Sequence, residues 1–186
     1  MTPAPKTPKA NRKSRKGFVH VYTGNGKGKT TAALGLALRA AGYGLKVYII
    51  QFMKGCVTYG ELRSSKHIPN FTIKQFGRPD FVNKDNPAKI DIALAQKGLK
   101  HAEKILKNGK RDIVILDEIN VAIEWNLIKL DDAIRLIKGK PQNVELILTG
   151  RYAPQKIIDM ADLVTEMREI KHYYRKGIIS REGIDH

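Results

Sequence analysis

The fold is decided by one stretch of the chain, Thr23-Gly24-Asn25-Gly26-Lys27-Gly28-Lys29-Thr30-Thr31. It lies between an apolar run at 18–22 and an alanine- and leucine-rich run at 32–41. A strand, a glycine-rich loop and a helix in this order form a phosphate-binding loop, because backbone N–H groups and the helix N-terminus both face the anion. In such a loop Lys29 reaches the terminal phosphates and the Thr30 hydroxyl can ligate Mg²⁺. The stretch therefore predicts nucleotide binding, and the alternative is a glycine-rich turn without a ligand.

This loop is shorter than the usual phosphate-loop pattern by one residue. The pattern has a glycine five positions before the Gly-Lys-Thr of residues 28–30, where this chain has Thr23, and its first glycine is Gly24. A tighter loop predicts that the triphosphate is held differently from the way an ordinary hydrolase holds it.

Composition predicts one α/β domain, 17–186, after a basic flexible tail, 1–16. The chain has 186 residues and a net charge of +16, and its first sixteen residues carry cations and no acid. Such a segment stays disordered in a free protein, and the charge excess favours polyanions such as nucleic acid, an anionic surface or a polyphosphate substrate. The alternative is a solubilising tail without a ligand, so charge alone does not predict nucleic-acid binding.

The single cysteine, Cys56, excludes a disulfide framework and a cysteine-based zinc site within one chain. No apolar stretch approaches the length of a membrane span, and no apolar segment follows the basic start as a secretion signal would. We therefore expect a cytoplasmic protein.

Apolar runs of strand length alternate with helical periodicities along the rest of the chain. Strands are predicted at 46–52, 71–76, 113–116, 144–149 and 163–170, and helices at 29–41, 87–108, 120–126, 130–137 and 154–160. Gly42 is expected to end the first helix, Asn86 and Pro87 to begin the next, and Asp131 to cap a later one. This order predicts an α/β fold of the phosphate-loop NTPase-like (RecA-like) kind, a mostly parallel sheet with helices on both faces.

Charged residues follow several of these strands. Ligands of open α/β sheets bind at the carboxyl ends of the strands, so these charged residues are candidate site residues. Asp117 and Glu118 follow the strand at 113–116, and one could hold Mg²⁺ while the other orients a nucleophile. Lys54 and Glu61 follow the second strand, and Arg151 could clamp phosphate oxygens. The alternative for each is a solvated side chain in a loop.

Four other side chains have ordinary structural interpretations. Arg39 is a solvated cation near the end of a helix, Trp125 a core anchor, and His172 a structural or surface residue without a second metal ligand nearby. Phe81, in the loop 77–86, is expected to pack on the core. If it were exposed, it would instead indicate a platform for a flat ligand.

Taken in order, the motifs of this chain resemble the ATP:corrinoid adenosyltransferase family. The motifs are Gly24-Asn25-Gly26-Lys27-Gly28-Lys29-Thr30-Thr31, Gln51-Phe52-Met53-Lys54-Gly55, Gly60-Glu61, Leu116-Asp117-Glu118, Leu148-Thr149-Gly150-Arg151 and Gly183-Ile184-Asp185. The resemblance extends over nearly the whole chain except the basic tail.

The resemblance implies that a Co(I) corrinoid attacks C5′ of ATP and releases triphosphate, with the triphosphate seated in the reverse of the usual direction. ATP and the corrinoid would be substrates and Mg²⁺ a cofactor, in a homodimer served by an electron-donor protein. Implied nucleotide contacts are Gly24, Asn25, Gly26, Lys27, Gly28, Lys29, Thr30, Thr31, Arg39 and Arg151. Implied metal ligands are Thr30, Asp117 and Glu118, and implied catalytic residues are Lys29, Glu118 and Phe81, the last against the corrin ring where other members carry tryptophan.

Two other functions share part of this pattern. A nucleic-acid-stimulated ATPase of the recombinase type would use the same loop and acids and would explain the charge. A small-molecule kinase would release ADP and would need an arginine-rich lid, which the sequence does not clearly contain.

Overall fold

The computed structural model describes residues 15–56 and 58–185. Within these ranges the strands are β1 Val19–Thr23, β2 Val47–Phe52, β3 Phe71–Phe76, β4 Ile113–Asp117, β5 Glu145–Thr149 and β6 Leu163–Glu166. The helices are α1 Lys29–Gly42, α2 Gly60–Ser65, α3 Lys89–Lys107, α4 Ile119–Glu124, α5 Leu130–Lys138 and α6 Gln155–Ile158, and a 3₁₀ turn spans Tyr173–Lys176.

The six strands form one parallel sheet in the order β3-β2-β4-β5-β1-β6. All five pairs of neighbouring strands are parallel, with Val47 beside Ile113 and Val21 beside Leu148, for example. Since each connection must cross from one end of the sheet to the other, helices separate the strands. The predicted α/β, RecA-like fold is confirmed.

Helices cover both faces of this sheet, because successive side chains of each strand point to opposite sides. One face packs against α1 through its small residues Ala33, Ala37 and Ala40, in a cluster with Ile49 and Ile115. The other face forms the larger core with α3, α4 and α5. The site therefore stands on a sheet whose strands β2, β4 and β5 are buried on both sides.

Several predicted boundaries are wrong. The left-handed residue after α1 is Gly44, at φ 74°, and not Gly42, which is still helical. Helix α3 begins at Lys89, after an extended Ala88, so Pro87 lies before the helix. Asp131 lies in the first turn of α5 and does not cap it. The last strand ends at Glu166, and α2 was not predicted.

The predicted tail, 1–16, lies outside the described residues except for its last two. Arg15 lies 3.7 Å from a Glu145 carboxylate oxygen, and the Lys16 ammonium lies 5.2 Å from the centre of the Phe18 ring. The division into a tail and a single domain stays a prediction.

Candidate nucleotide and corrinoid site

The loop between β1 and α1 packs closely against the chain that leaves β6. The Gly26 N–H donates to the Met167 carbonyl at 2.6 Å, and a Cβ at Gly26 would lie 2.7 Å from the same oxygen. Gly24 has φ 91°, and a Cβ there would lie 2.5 Å from that carbonyl. Glycine is therefore required at both positions by contact with residue 167 as well as by the geometry of an anion site.

Lys29 lies at the centre of the loop with only 7% of its surface exposed. Its ammonium donates to the carbonyls of Gly24 at 2.8 Å and Gly26 at 2.7 Å. Burial lowers the pKa of Lys29, Arg151 lowers it further, and the carboxylates of Glu118 and Asp117 oppose both. The charge is thus held inside the loop, where it can meet a bound phosphate.

Asp117 is 1% exposed, and four side chains donate hydrogen bonds to its carboxylate. The hydroxyls of Thr30 and Thr149 each donate to Oδ1 at 2.8 Å, while the Lys54 ammonium at 2.8 Å and the Gln51 amide at 3.2 Å donate to Oδ2. Burial alone would raise the pKa of Asp117, but Lys54 and the two hydroxyls hold it below the ordinary value. Asp117 therefore fixes the Thr30 hydroxyl at the start of α1.

Glu118 turns the chain from β4 into α4 in a left-handed conformation, at φ 64°. Its N–H donates to the Thr149 hydroxyl at 3.0 Å, which holds this conformation, an uncommon one for a residue other than glycine. The side chain lines the same cleft as the loop. Burial and the neighbouring Asp117 raise the pKa of Glu118 above its ordinary value, although Lys54, Lys29 and Arg151 lower it.

Both residues predicted from the end of β2 reach this cluster. Lys54 pairs with Asp117, and Glu61 accepts from the Gln51 amide at 3.1 Å. Gln51 and Thr149 were not predicted, although each is a polar residue at the carboxyl end of an apolar strand, and that position was the available signal.

Two cavities border the loop. The larger cleft has a volume of about 1000 Å³ and is lined by residues 26–31, by Glu118 and by Arg151. Apolar residues complete its walls, among them Leu34, Met53 and Trp125. The smaller cavity, about 450 Å³, is lined by Asn25, Arg151, Tyr152, Glu166, Arg168, Glu169 and Arg175. The loop thus separates a polar cavity from a mostly apolar cleft.

The two predicted arginines differ in position. Arg151 follows β5 and lines both cavities. Arg39 lies ten residues after Lys29 on α1, which is about 15 Å along a helix, and lines neither cavity. The structure brings Arg151 to the loop and does not bring Arg39, whose contact with ATP stays a prediction.

Phe81 is fully exposed at the larger cleft, so the expectation that it packs on the core is wrong. The neighbouring Val82 makes the contact with the core instead. The loop is anchored by Arg78, whose Nε and Nη2 donate to the two oxygens of the buried Asp91 at 2.8 and 3.0 Å. Phe81 thus presents a free aromatic face from an anchored loop. Trp125 packs against the core as predicted and also lines the cleft.

The residues present fit Mg²⁺. Among the described residues no group of three or more His, Cys, Asp and Glu side chains could hold a metal ion. Mg²⁺ does not need such a group, because it is commonly held by one or two protein oxygens with substrate phosphates and water. Thr30 and Glu118 both line the cleft beside the loop, whereas both oxygens of Asp117 already accept hydrogen bonds. Thr30 and Glu118 are therefore the better ligands of the three predicted.

Fold and site together define a phosphate-loop nucleotide-binding protein with a large, mostly apolar second compartment. A family model described as ATP:corrinoid adenosyltransferase BtuR/CobO/CobP matches residues 15–186. The chain belongs to the ATP:corrinoid adenosyltransferase family.

Curated relatives agree over most of their length. A corrinoid adenosyltransferase of Sinorhizobium sp is 34% identical over 95% of this chain and 83% of its own. Corrinoid adenosyltransferases of Escherichia coli K12 and Salmonella typhimurium are each 34% identical over 95% of this chain and 89% of theirs. A KaiC-like protein of Pyrococcus horikoshii has a TM-score of 0.55 at 17% identity, over 84% of this chain and 74% of its own, which supports the fold alone. In the described parts of the chain, no helix is long and apolar enough to cross a membrane.

Proposed function

We propose that this chain transfers the 5′-deoxyadenosyl group of ATP to the Co(I) centre of a corrinoid, in adenosylcobalamin synthesis or salvage, and releases triphosphate. The observation that carries the proposal is that the phosphate loop and a fully exposed Phe81 border one cleft in a chain of this family. One end of the cleft suits a triphosphate and the other suits a large, flat, apolar ring.

The reaction needs no proton transfer. The electron pair of Co(I) forms the bond to C5′, the bond between C5′ and the triphosphate oxygen breaks, and the triphosphate leaves with the electron pair of that broken bond. The work of the protein is therefore to hold C5′ in line with cobalt and to stabilise the charge on the leaving group. A general base is not required.

The loop residues carry the second task. The Lys29 ammonium, which now donates to two loop carbonyls, exchanges these for phosphate oxygens, and Arg151 contacts the triphosphate from the end of β5. We place the terminal phosphate towards the smaller cavity, because its three arginines, Arg151, Arg168 and Arg175, outnumber its two glutamates. The ribose carbon then faces the larger cleft, in the reversed seating that the short loop predicts.

Thr30 and Glu118 would hold Mg²⁺, which supplies positive charge to the triphosphate when bound. Asp117 acts through Thr30, because its carboxylate orients that hydroxyl at 2.8 Å. The raised pKa of Glu118 follows from burial and from Asp117, and a bound cation offsets both.

Phe81 would pack against the corrin ring. Its side chain is fully exposed beside the cleft, so the ring face is available without any rearrangement of the core. The electron-donor protein and the homodimer belong to the same proposal and rest on the family resemblance, while the cytoplasmic location stays an expectation from the sequence.

The test is to incubate the protein with Mg-ATP and cobalamin reduced to Co(I), to identify the phosphate product and to follow the corrinoid absorbance. We expect triphosphate and adenosylated corrinoid in equal amounts. A Lys29→Ala variant should lose both products together, since the same ammonium serves one reaction.

Orthophosphate or ADP without adenosylated corrinoid would reject the proposal. Orthophosphate release that DNA or RNA stimulates would support the nucleic-acid-stimulated ATPase instead, if removal of residues 1–16 abolishes the stimulation.

A further inference from the structure

The chain that leaves β6 returns across the phosphate loop and forms part of the larger cleft. We call residues 171–185 the return segment; it contains the 3₁₀ turn Tyr173–Lys176. Eight of its residues line the cleft: His172, Tyr173, Tyr174, Ile178, Ser180, Gly183, Ile184 and Asp185. The return segment is therefore a wall of the site, although it has little regular secondary structure of its own.

Asp185 connects this wall to the loop. One carboxylate oxygen lies 2.6 Å from the Lys27 ammonium and also accepts from the Tyr173 hydroxyl. The other accepts from the backbone N–H of Arg181 at 3.0 Å and from its Nε at 3.3 Å. The Asp185 side chain is only 10% exposed. One carboxylate thus joins a loop lysine to two other parts of the return segment.

The apolar side chains of this wall have no apolar cover. Tyr174, Ile178 and Ile184 are 68%, 46% and 61% exposed although they line the cleft. Three large exposed apolar side chains on a concave surface are typical of a binding site for an apolar ligand. They lie in the same cleft as Phe81.

We propose that Asp185 is a positioning residue for the corrinoid: by pairing with Lys27 it fixes the return segment against the phosphate loop, so that Tyr174, Ile178 and Ile184 form one wall of the corrin compartment. This inference rests on the proposed function. It assigns the task of holding the compartment in shape to a carboxylate that the proposed reaction itself does not use.

The physical reason is that this wall has no α-helix or strand and that several of its apolar side chains are exposed. A segment without a helix or strand that buries little apolar surface opens easily. The ion pair between Arg175 and Glu169, at 2.6 Å, joins the segment to a residue just before it and does not connect it to the phosphate loop. A carboxylate that accepts four hydrogen bonds, two of them from charged groups, contributes more than an ordinary surface pair.

The first experiment needs no ligand. Trypsin is added to the full chain, and mass spectrometry follows the peptides released by cleavage after Arg175 and Lys176. We expect Asp185→Asn to speed these cleavages about ten-fold, and Asp185→Glu to restore most of the protection. Glu182→Gln is the matched control, because it removes one negative charge from the same segment and should leave the rate unchanged.

The second experiment separates positioning from stability. In Asp185→Asn the KM for reduced cobalamin should rise about ten-fold, while binding of Mg-ATP in the absence of corrinoid changes less than about three-fold, because Lys29 and the loop amides remain. A merely structural role would lower the melting temperature without separating the two substrates. Asp185→Glu should recover the KM.

An unchanged cleavage rate in Asp185→Asn would overturn the inference, and so would a loss of ATP affinity with the KM for cobalamin unaltered. The cleavage rate and the ATP affinity are measured without turnover, so they do not depend on what the enzyme produces. If the wild-type protein fails to make adenosylated corrinoid, the proposed function fails whatever Asp185 does.

Discussion

Replacing Lys54 by methionine tests the hydrogen-bond cluster around Asp117. Methionine keeps most of the length and apolar surface of lysine but removes the ammonium that lies 2.8 Å from Asp117 Oδ2. The Asp117 carboxylate is 1% exposed, so the lost charge cannot be replaced freely by water. We expect the variant to fold, and we expect its unfolding midpoint to lie at a lower denaturant concentration than that of the wild type.

The magnitude follows from burial. Removing one partner of a buried ion pair costs about 3–5 kcal/mol, because the other charge is left uncompensated. Lys54 keeps 20% exposure, and Asp117 retains donors from Thr30, Thr149 and Gln51. We therefore expect the free energy of unfolding to fall by about 2–3 kcal/mol, less than for a fully buried pair without other donors.

The assay is urea denaturation followed by circular dichroism, and the matched control is Lys100→Met on the exposed face of α3. The control should stay within about 0.5 kcal/mol of wild type. If Lys54→Met loses less than about 1 kcal/mol in the free energy of unfolding, no more than the control loses, the view that Lys54 and Asp117 form a buried, coupled pair is refuted.

Four further outcomes are expected. Gly35→Ala should stabilise the protein by about 0.5–1 kcal/mol in urea denaturation, because Gly35 lies inside α1 with open space where a Cβ would be. Phe81→Ala should leave stability within about 0.5 kcal/mol and ATP binding unchanged, and should raise the KM for the corrinoid, since the ring is fully exposed. Asp91→Asn should destabilise the protein most at neutral pH: Arg78 holds the pKa of Asp91 below its ordinary value, so its contribution is complete above about 4 and is lost as the pH falls through the lower folded value. Chelation of Mg²⁺ should weaken ATP binding measured by calorimetry. Glu118→Gln should raise the Mg²⁺ concentration that gives half-maximal ATP binding by about ten-fold.

Each of these has a contrary result. Destabilisation by the alanine in α1 would mean that its outer face is covered. Equal corrinoid KM values with and without the Phe81 ring would remove it from the corrin compartment. A constant effect of Asp91→Asn from pH 7 to pH 3 would show that the pair with Arg78 does not titrate. Unchanged Mg²⁺ dependence in Glu118→Gln would leave the metal to Thr30 and the phosphates.

The strands and their common edge could be predicted because their signals are local. Runs such as 113–116 are apolar over the length of a strand, and the acids that follow mark its carboxyl end. Lys54, Glu61, Asp117 and Arg151 were brought to one edge by the parallel sheet, as the alternation of strands and helices predicts.

Contacts between distant segments could not be predicted in this way. Nothing near Asp185 in the sequence indicates that its partner is Lys27, and nothing near Gly26 indicates that residue 167 excludes a Cβ. Phe81 was assigned to the core because aromatic rings are usually buried, whereas its neighbour Val82 occupies that position. Helix ends were also missed, because Gly42 and Gly44 are both candidates and only the hydrogen bonds distinguish them.

The contact between Gly26 and Met167 has a consequence for the order of folding. The strand that carries residue 167 to the loop is β6, the edge strand of the sheet that the described residues form. It pairs there with β1, from which it is separated by about 140 residues of chain. A growing chain could therefore form the central strands well before its nucleotide cradle takes shape. The chain would then bind nucleotide only after the whole sheet has been synthesised and folded, and incomplete chains would not bind ATP.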